Sequence, residues 1–115
     1  MGRSWGRLLT FDISGVNSQI LSQLVASRKL ELEHLKYEEL DALPPYSDNE
    51  GDEYYNKKMT IAVWKEKLPT GDIQIVVQGM HFHFLGASTS YAEGFLCSET
   101  GELKPLPQDT LWEYQ

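Results

Sequence analysis

Residues 59–78 read MTIAVWKEKLPTGDIQIVVQ, and this stretch decides the fold. Two β-rich runs, Met59–Trp64 and Ile73–Gln78, flank Leu68-Pro69-Thr70-Gly71-Asp72, whose proline and glycine favour a turn, so the segment predicts an antiparallel hairpin. In the second run Gln74 and Gln78 alternate with Ile73, Ile75 and Val77, which assigns those three apolar side chains to the core. Gly79 then interrupts and predicts a bulge or a tight bend. His81-Phe82-His83-Phe84-Leu85 resumes the alternation, with the rings inward and the imidazoles on the solvent face of the strand.

Further turns are expected at Gly86-Ala87-Ser88 and Ser98-Glu99-Thr100-Gly101, on either side of a strand from Tyr91 to Cys97 that Gly94 interrupts. Glu102-Leu103-Lys104-Pro105-Leu106 follows as a last extended piece, and Pro107 to Tyr114 reads as a capped helical turn.

Working back towards the start, Val16, Ile20, Leu21, Leu24 and Val25 form one helical stripe, with Arg28 and Lys29 suited to the negative end of the helix dipole. This predicts a helix over residues 16–28, preceded by a short strand or extended arm at Arg7–Phe11 and a break at Ser14-Gly15. Residues 30–43 place Leu32, Leu35, Leu40 and Leu43 on a helical face. Leu30-Glu31-Leu32-Glu33 also alternates like a strand, but the glutamates favour a second helix, ended by Pro44-Pro45. Residues 46–58 carry no apolar period and are expected to form a mobile acidic loop. The fold class is thus α+β within one domain: an N-terminal helix, or two helices, packed on one face of a four- to five-stranded antiparallel meander sheet, with a short C-terminal helical turn.

Charge is distributed unevenly. Residues 31–55 hold nine carboxylates and one lysine, a balance of −8, so the rest of the chain sums to +1 and the whole to −7. A field of that sign repels nucleic acid and anionic membrane surfaces and attracts a basic protein. No apolar run of membrane length occurs, and a single cysteine, Cys97, excludes an internal disulfide framework, which makes the cytoplasm the simplest compartment. Cys97 sits beside Phe95 and Leu96, the setting of a small buried hydrophobe rather than a nucleophile.

The acidic stretch interleaves carboxylates with Tyr37, Tyr46, Tyr54 and Tyr55, a composition common in protein-binding hot spots. The candidate partner-binding residues are Glu38, Glu39, Asp41, Asp48, Glu50, Asp52, Glu53, Tyr54 and Tyr55. The run Asp52-Glu53-Tyr54-Tyr55 resembles, in surface chemistry over four residues, the face by which DNase-type bacteriocin immunity proteins cover basic nucleases. Those proteins are small all-helical domains, whereas the strands from Met59 onward put this chain in another class. The resulting expectation is a small acidic adaptor or inhibitor, of immunity type in one version, that engages a basic protein partner, with homo-oligomerisation through an open sheet edge as a further option.

The alternative is a metal or small-ligand site at His81 and His83, two imidazoles on one strand face about 6.5–7 Å apart along the backbone. Further ligands at a recognisable spacing are missing, and Asp48-Asn49-Glu50-Gly51-Asp52-Glu53 departs from a calcium-binding loop, with its glycine fourth instead of sixth. No cofactor is expected. Neither a nucleophile motif nor a phosphate-binding glycine loop is present, so catalysis is the weaker expectation.

Overall fold

The computed structural model describes residues 5–50, 59–82 and 88–114, and side chains from residue 19 onward. Helix α1 (Trp5–Glu33) is followed by a single-turn helix α2 (Tyr37–Asp41). Strands β1 (Tyr46–Asp48), β2 (Met59–Lys67), β3 (Ile73–Phe82), β4 (Ser88–Cys97) and β5 (Leu103–Pro105) come next, and the short helix α3 (Gln108–Trp112) after them. The five strands form one antiparallel sheet in the order β1-β2-β3-β4-β5, the expected meander with α1 on one face.

The hairpin of residues 59–78 forms as its sequence dictates. Lys67 pairs with Ile73 and Val63 with Val77. Leu68 N–H donates to the Asp72 carbonyl, Gly71 N–H donates to Leu68, and Gly71 takes φ 95°. That geometry is a type I turn closed by a left-handed glycine. Ser98–Glu102 repeats it, with Gly101 at φ 91°. Ile73, Ile75 and Val77 are fully buried against Val25, Leu32, Leu40, Phe95 and Cys97.

Several boundaries differ from expectation. The Arg7–Phe11 arm is part of α1, which runs on through Ser14-Gly15. A mid-helix glycine costs about 1 kcal/mol, less than exposing two further sets of unsatisfied helix ends. Nor does α1 close at Arg28. It extends to Glu33, which brings Leu32 onto the same buried stripe as Leu21 and Val25 and pairs Lys29 with Glu33 at 3.1 Å. His34 Nδ1 donates to the Leu30 carbonyl at 2.7 Å and ends the helix. The expected helix over residues 30–43 is therefore divided: Leu30–Glu33 belongs to α1, and α2 is confined to five residues.

The loop expected from residue 46 begins with a strand instead. Tyr46, Ser47 and Asp48 pair with Trp64, Val63 and Ala62, because Pro45 accepts from Lys65 N–H and Asn49 pairs with Ile61 at the two ends. Residues 51–58 lie outside the described residues.

Gly79 makes no bulge, and β3 continues through it to Phe82. A Cβ built on Gly79 would stand 2.6 Å from Val25 Cγ2 and 2.9 Å from Leu21 Cδ1, so the glycine lets α1 approach the strand closely. Strand parity is therefore preserved, and His81 falls on the same face as Ile73, Ile75 and Val77. His81 is 5% exposed while Phe82 is 41% exposed, the reverse of the expected arrangement. Gly94 likewise leaves β4 unbroken.

Candidate functional site

Among the described residues the acidic side chains do not form one surface. Glu39 turns back to accept the Lys36 N–H at 2.8 Å and stabilises the start of α2. Asp41 lies 3.8 Å from Lys65 Nζ and 3.5 Å from Lys67 Nζ. Lys67 also stands over the Tyr37 ring, 5.9 Å from its centroid. Asp41, and after it Tyr37, holds the Lys67 ammonium above its ordinary pKa. Around α2 Asp41 alone of the three carboxylates faces lysine ammonium groups, those of Lys65 and Lys67, while Glu38 and Glu39 remain exposed without an ion pair among the described residues. Sequence distance concealed this neutralisation, because Lys65 and Lys67 come from the far end of β2.

Asp48 stands differently. Its carboxylate accepts from Tyr46 Oη at 2.9 Å and from the Glu50 N–H at 3.0 Å, and no cation pairs with it among the described residues. Asp48 borders a groove of about 510 Å³ between α1 and β1, lined by Leu24, Ser27, Arg28, Glu31, Ser47, Asn49, Ile61 and Val63 as well. Leu24, a member of the expected apolar stripe, is 43% exposed there, because α1 aims Leu21 and Val25 at the sheet and leaves this flank open. The Arg28 guanidinium is held by Glu31 at 3.0 Å. The groove therefore has an apolar floor of Leu24, Ile61 and Val63, while the Asp48 side chain shares the β1 face of Tyr46 and turns its carboxylate round the sheet edge, away from α1. Asp52, Glu53, Tyr54, Tyr55 and His83 lie outside the described residues.

On the sheet face opposite α1, sequence reasoning missed an aromatic cluster. Trp64 meets Tyr46 edge-on, with centroids 4.6 Å apart, and Tyr114 at 5.7 Å. Its Nε1 donates to Gln78 Oε1 at 3.0 Å, and Gln78 Nε2 donates to the Tyr114 carbonyl at 2.5 Å. Burial pushes the Tyr114 hydroxyl pKa up. The signal was present in the parity of Trp64 with Gln74 and Gln78, but only the register Tyr46↔Trp64↔Val76 joins the parts.

The alternative chemistries fare less well. Among the described residues no three His, Cys, Asp or Glu side chains gather where they could hold a metal ion. Cys97 is buried in the core, and desolvation above all, then Asp72 and Glu38, raises its pKa. Cys97 pairs with Ile73 and Thr89 with His81, so thiol and imidazole sit eight residues apart along the sheet, roughly 26 Å. A pair of Cys97 with His81 is thereby excluded.

One titratable pair is strongly perturbed. Tyr91 Oη donates to Glu93 Oε2 at 2.5 Å, and this bond, then burial, then the carboxylate's charge, pushes the phenol pKa from 10.0 up to about 12. A raised folded-state pKa favours the protonated phenol. The stabilisation is complete below pH 10 and disappears as pH rises towards 12. Tyrosinate absorbance, taken as the difference between the native chain and Tyr91→Phe, should show this late titration. Glu93→Ala should return the midpoint towards 10, and an unchanged midpoint would contradict the assignment.

Among the described residues no helix is long and apolar enough to cross a membrane. No family model, curated protein or solved structure matches the chain.

Proposed function

We propose that this chain is a small protein-binding domain, an adaptor or an inhibitor, that receives a basic and partly apolar segment of a protein partner in the groove between α1 and β1. The observation that carries the reading is the half-exposed Leu24 beside Ile61 and Val63, in a groove bordered by the edge strand that carries the Asp48 carboxylate. An apolar side chain fills the floor and a lysine or arginine of the partner reaches Asp48 across the β1 edge, while Glu50 and the net charge of −7 steer its approach. Glu39, bonded to the Lys36 backbone, and Asp41, paired with Lys65 and Lys67, are assigned a structural role, which narrows the contact surface to the β1 side. In an immunity-like inhibitor Asp52, Glu53, Tyr54 and Tyr55 also contribute to the contact. The cytoplasm is the proposed compartment, supported by the single unpaired thiol.

The test is affinity capture at low and high salt with the native chain, Asp48→Lys and Leu24→Asp. A groove-bound partner should be retained by the native chain, weakened about tenfold or more by either variant, and released by salt chiefly through slower association. Capture insensitive to both substitutions would reject the groove.

A further inference from the structure

The sheet face opposite α1 is only partly covered. Leu106 lies where a Cβ on Gly94 would stand, Val76 is fully buried, and the Tyr114 carbonyl accepts from Gln78 Nε2, so the C-terminal segment roofs β3 and β4. Past the Tyr114 ring, over β1 and β2, Tyr46 and Trp64 remain 43% and 36% exposed. The indole is inclined at 63° to the Tyr46 ring and at 59° to the Tyr114 ring, so neither phenol lies flat upon it. A planar group can still stack there.

The surrounding side chains give this aromatic platform a sign. Asp48 and Gln78 both pair with Ala62. Tyr46 Oη donates to Asp48 and Trp64 Nε1 to Gln78, so both rings lean over the small Ala62 side chain and bring the indole beside the Asp48 carboxylate. Diagonal neighbours of this kind have Cβ atoms roughly 7–8 Å apart. Each Asp48 oxygen accepts one hydrogen bond, from Tyr46 or from the Glu50 N–H, and keeps a second lone pair. Glu66 follows two residues along β2 on the same face, and burial first, then the charges of Glu66 and Glu113, raise the pKa of the neighbouring Tyr114 hydroxyl. Asp48, Glu66 and Glu113 have no ion pair among the described residues. The nearest lysines in sequence are directed elsewhere: Lys65 and Lys67 alternate onto the α1 face, where Asp41 holds them.

We infer that this platform seats the guanidinium group of an arginine from a protein partner, stacked on the Trp64 indole with its N–H groups donated to Asp48. Charge complementarity selects a cation, because an anion is repelled by the three carboxylates and a neutral side chain leaves Asp48 uncompensated. Shape selects arginine over lysine. A guanidinium is planar and weakly hydrated, and it can present two parallel donors to one carboxylate while its face lies on an aromatic ring, which a point-like ammonium cannot do. The inference rests on the proposed reading that a basic side chain of the partner reaches Asp48 across the β1 edge, and it specifies which side chain that is and where it sits.

The probe is N-acetyl-arginine amide, added to the full isotopically labelled chain while the indole N–H resonances are followed. The chain has three tryptophans, and Trp64→Phe, which keeps a ring, identifies the Trp64 signal by its loss. That signal should move saturably, with a dissociation constant on the order of millimolar, as suits one small contact. N-acetyl-lysine amide should bind about threefold more weakly or worse, and the uncharged N-acetyl-citrulline amide about tenfold. Asp48→Asn, which preserves an acceptor for the Tyr46 hydroxyl, should weaken the arginine probe by about threefold or more. A shift without saturation overturns the inference, and so does lysine or citrulline binding as tightly as arginine, or an unchanged response in Asp48→Asn. The groove fails separately. Absence of the arginine response with partner capture still sensitive to Leu24→Asp would remove the platform alone, whereas a saturable response with capture insensitive to Leu24→Asp would remove the groove floor alone.

Discussion

Phe95→Ala should lower the unfolding free energy by about 3–5 kcal/mol. Phe95 is 2% exposed and packs in the buried cluster that joins Val25 and Leu32 of α1 to Ile75 and Val77 of β3 and to Cys97. Its ring fills the layer between helix and sheet, so truncation removes apolar burial and leaves a cavity that the register of β4 on β3 prevents from closing. A domain of this size has a total stability on the order of 5–15 kcal/mol, so the loss is a large share of it and should lower Tm by roughly 10–20 °C. Phe95→Leu keeps most of the volume and should cost only about 1–1.5 kcal/mol. Denaturant melts followed by circular dichroism measure both, and a loss under about 1 kcal/mol for alanine would mean that α1 settles into the space.

Gly94→Val is expected to cost about 3 kcal/mol, the upper end of overpacking penalties. A Cβ at Gly94 would run into the Ile75 carbonyl oxygen and Leu106 Cδ1. Leu106 can shift, but the Ile75 carbonyl is fixed by the β3–β4 ladder, so the clash is relieved only by distorting the sheet. Gly101 is the internal control. It has φ 91° and nothing within 4 Å of a built Cβ, so Gly101→Ala carries only the left-handed backbone penalty, about 1–2 kcal/mol. Equal losses at the two positions would show that crowding at Gly94 is not what requires glycine there.

These two glycines mark where the sequence was legible and where it was not. Gly71 and Gly101 were read as turns because a turn is local: the residues that form it are neighbours in the chain. Gly79 and Gly94 were read as interruptions, yet both lie inside continuous strands, because the atoms that require them belong to Leu21, Val25, Ile75 and Leu106, distant in sequence. The misreading of Gly79 also reversed the faces of His81 and Phe82, since one bulge changes the parity of every residue after it.

The candidate site divides in the same way. That the acidity is concentrated in residues 31–55 follows from composition. Which carboxylates are already satisfied depends on β2, whose far end supplies Lys65 and Lys67 to Asp41, and on the Lys36 backbone, which engages Glu39. The groove at Asp48 requires the rotation of α1 that buries Leu21 and Val25 and exposes Leu24, three residues of one apolar stripe.

By itself the sequence determined the class of the fold, the order of its elements, the central hairpin and the inward set Ile73, Ile75 and Val77, because these depend on periodicity and turn chemistry within short windows. The length of α1, the short strand at Tyr46–Asp48, the satisfied carboxylates and the close approaches at Gly79 and Gly94 were decided only by the tertiary structure. Each depends on which distant backbone or side chain arrives to share a hydrogen bond, a charge or a packing surface, and those partners are chosen when the whole chain closes around one core.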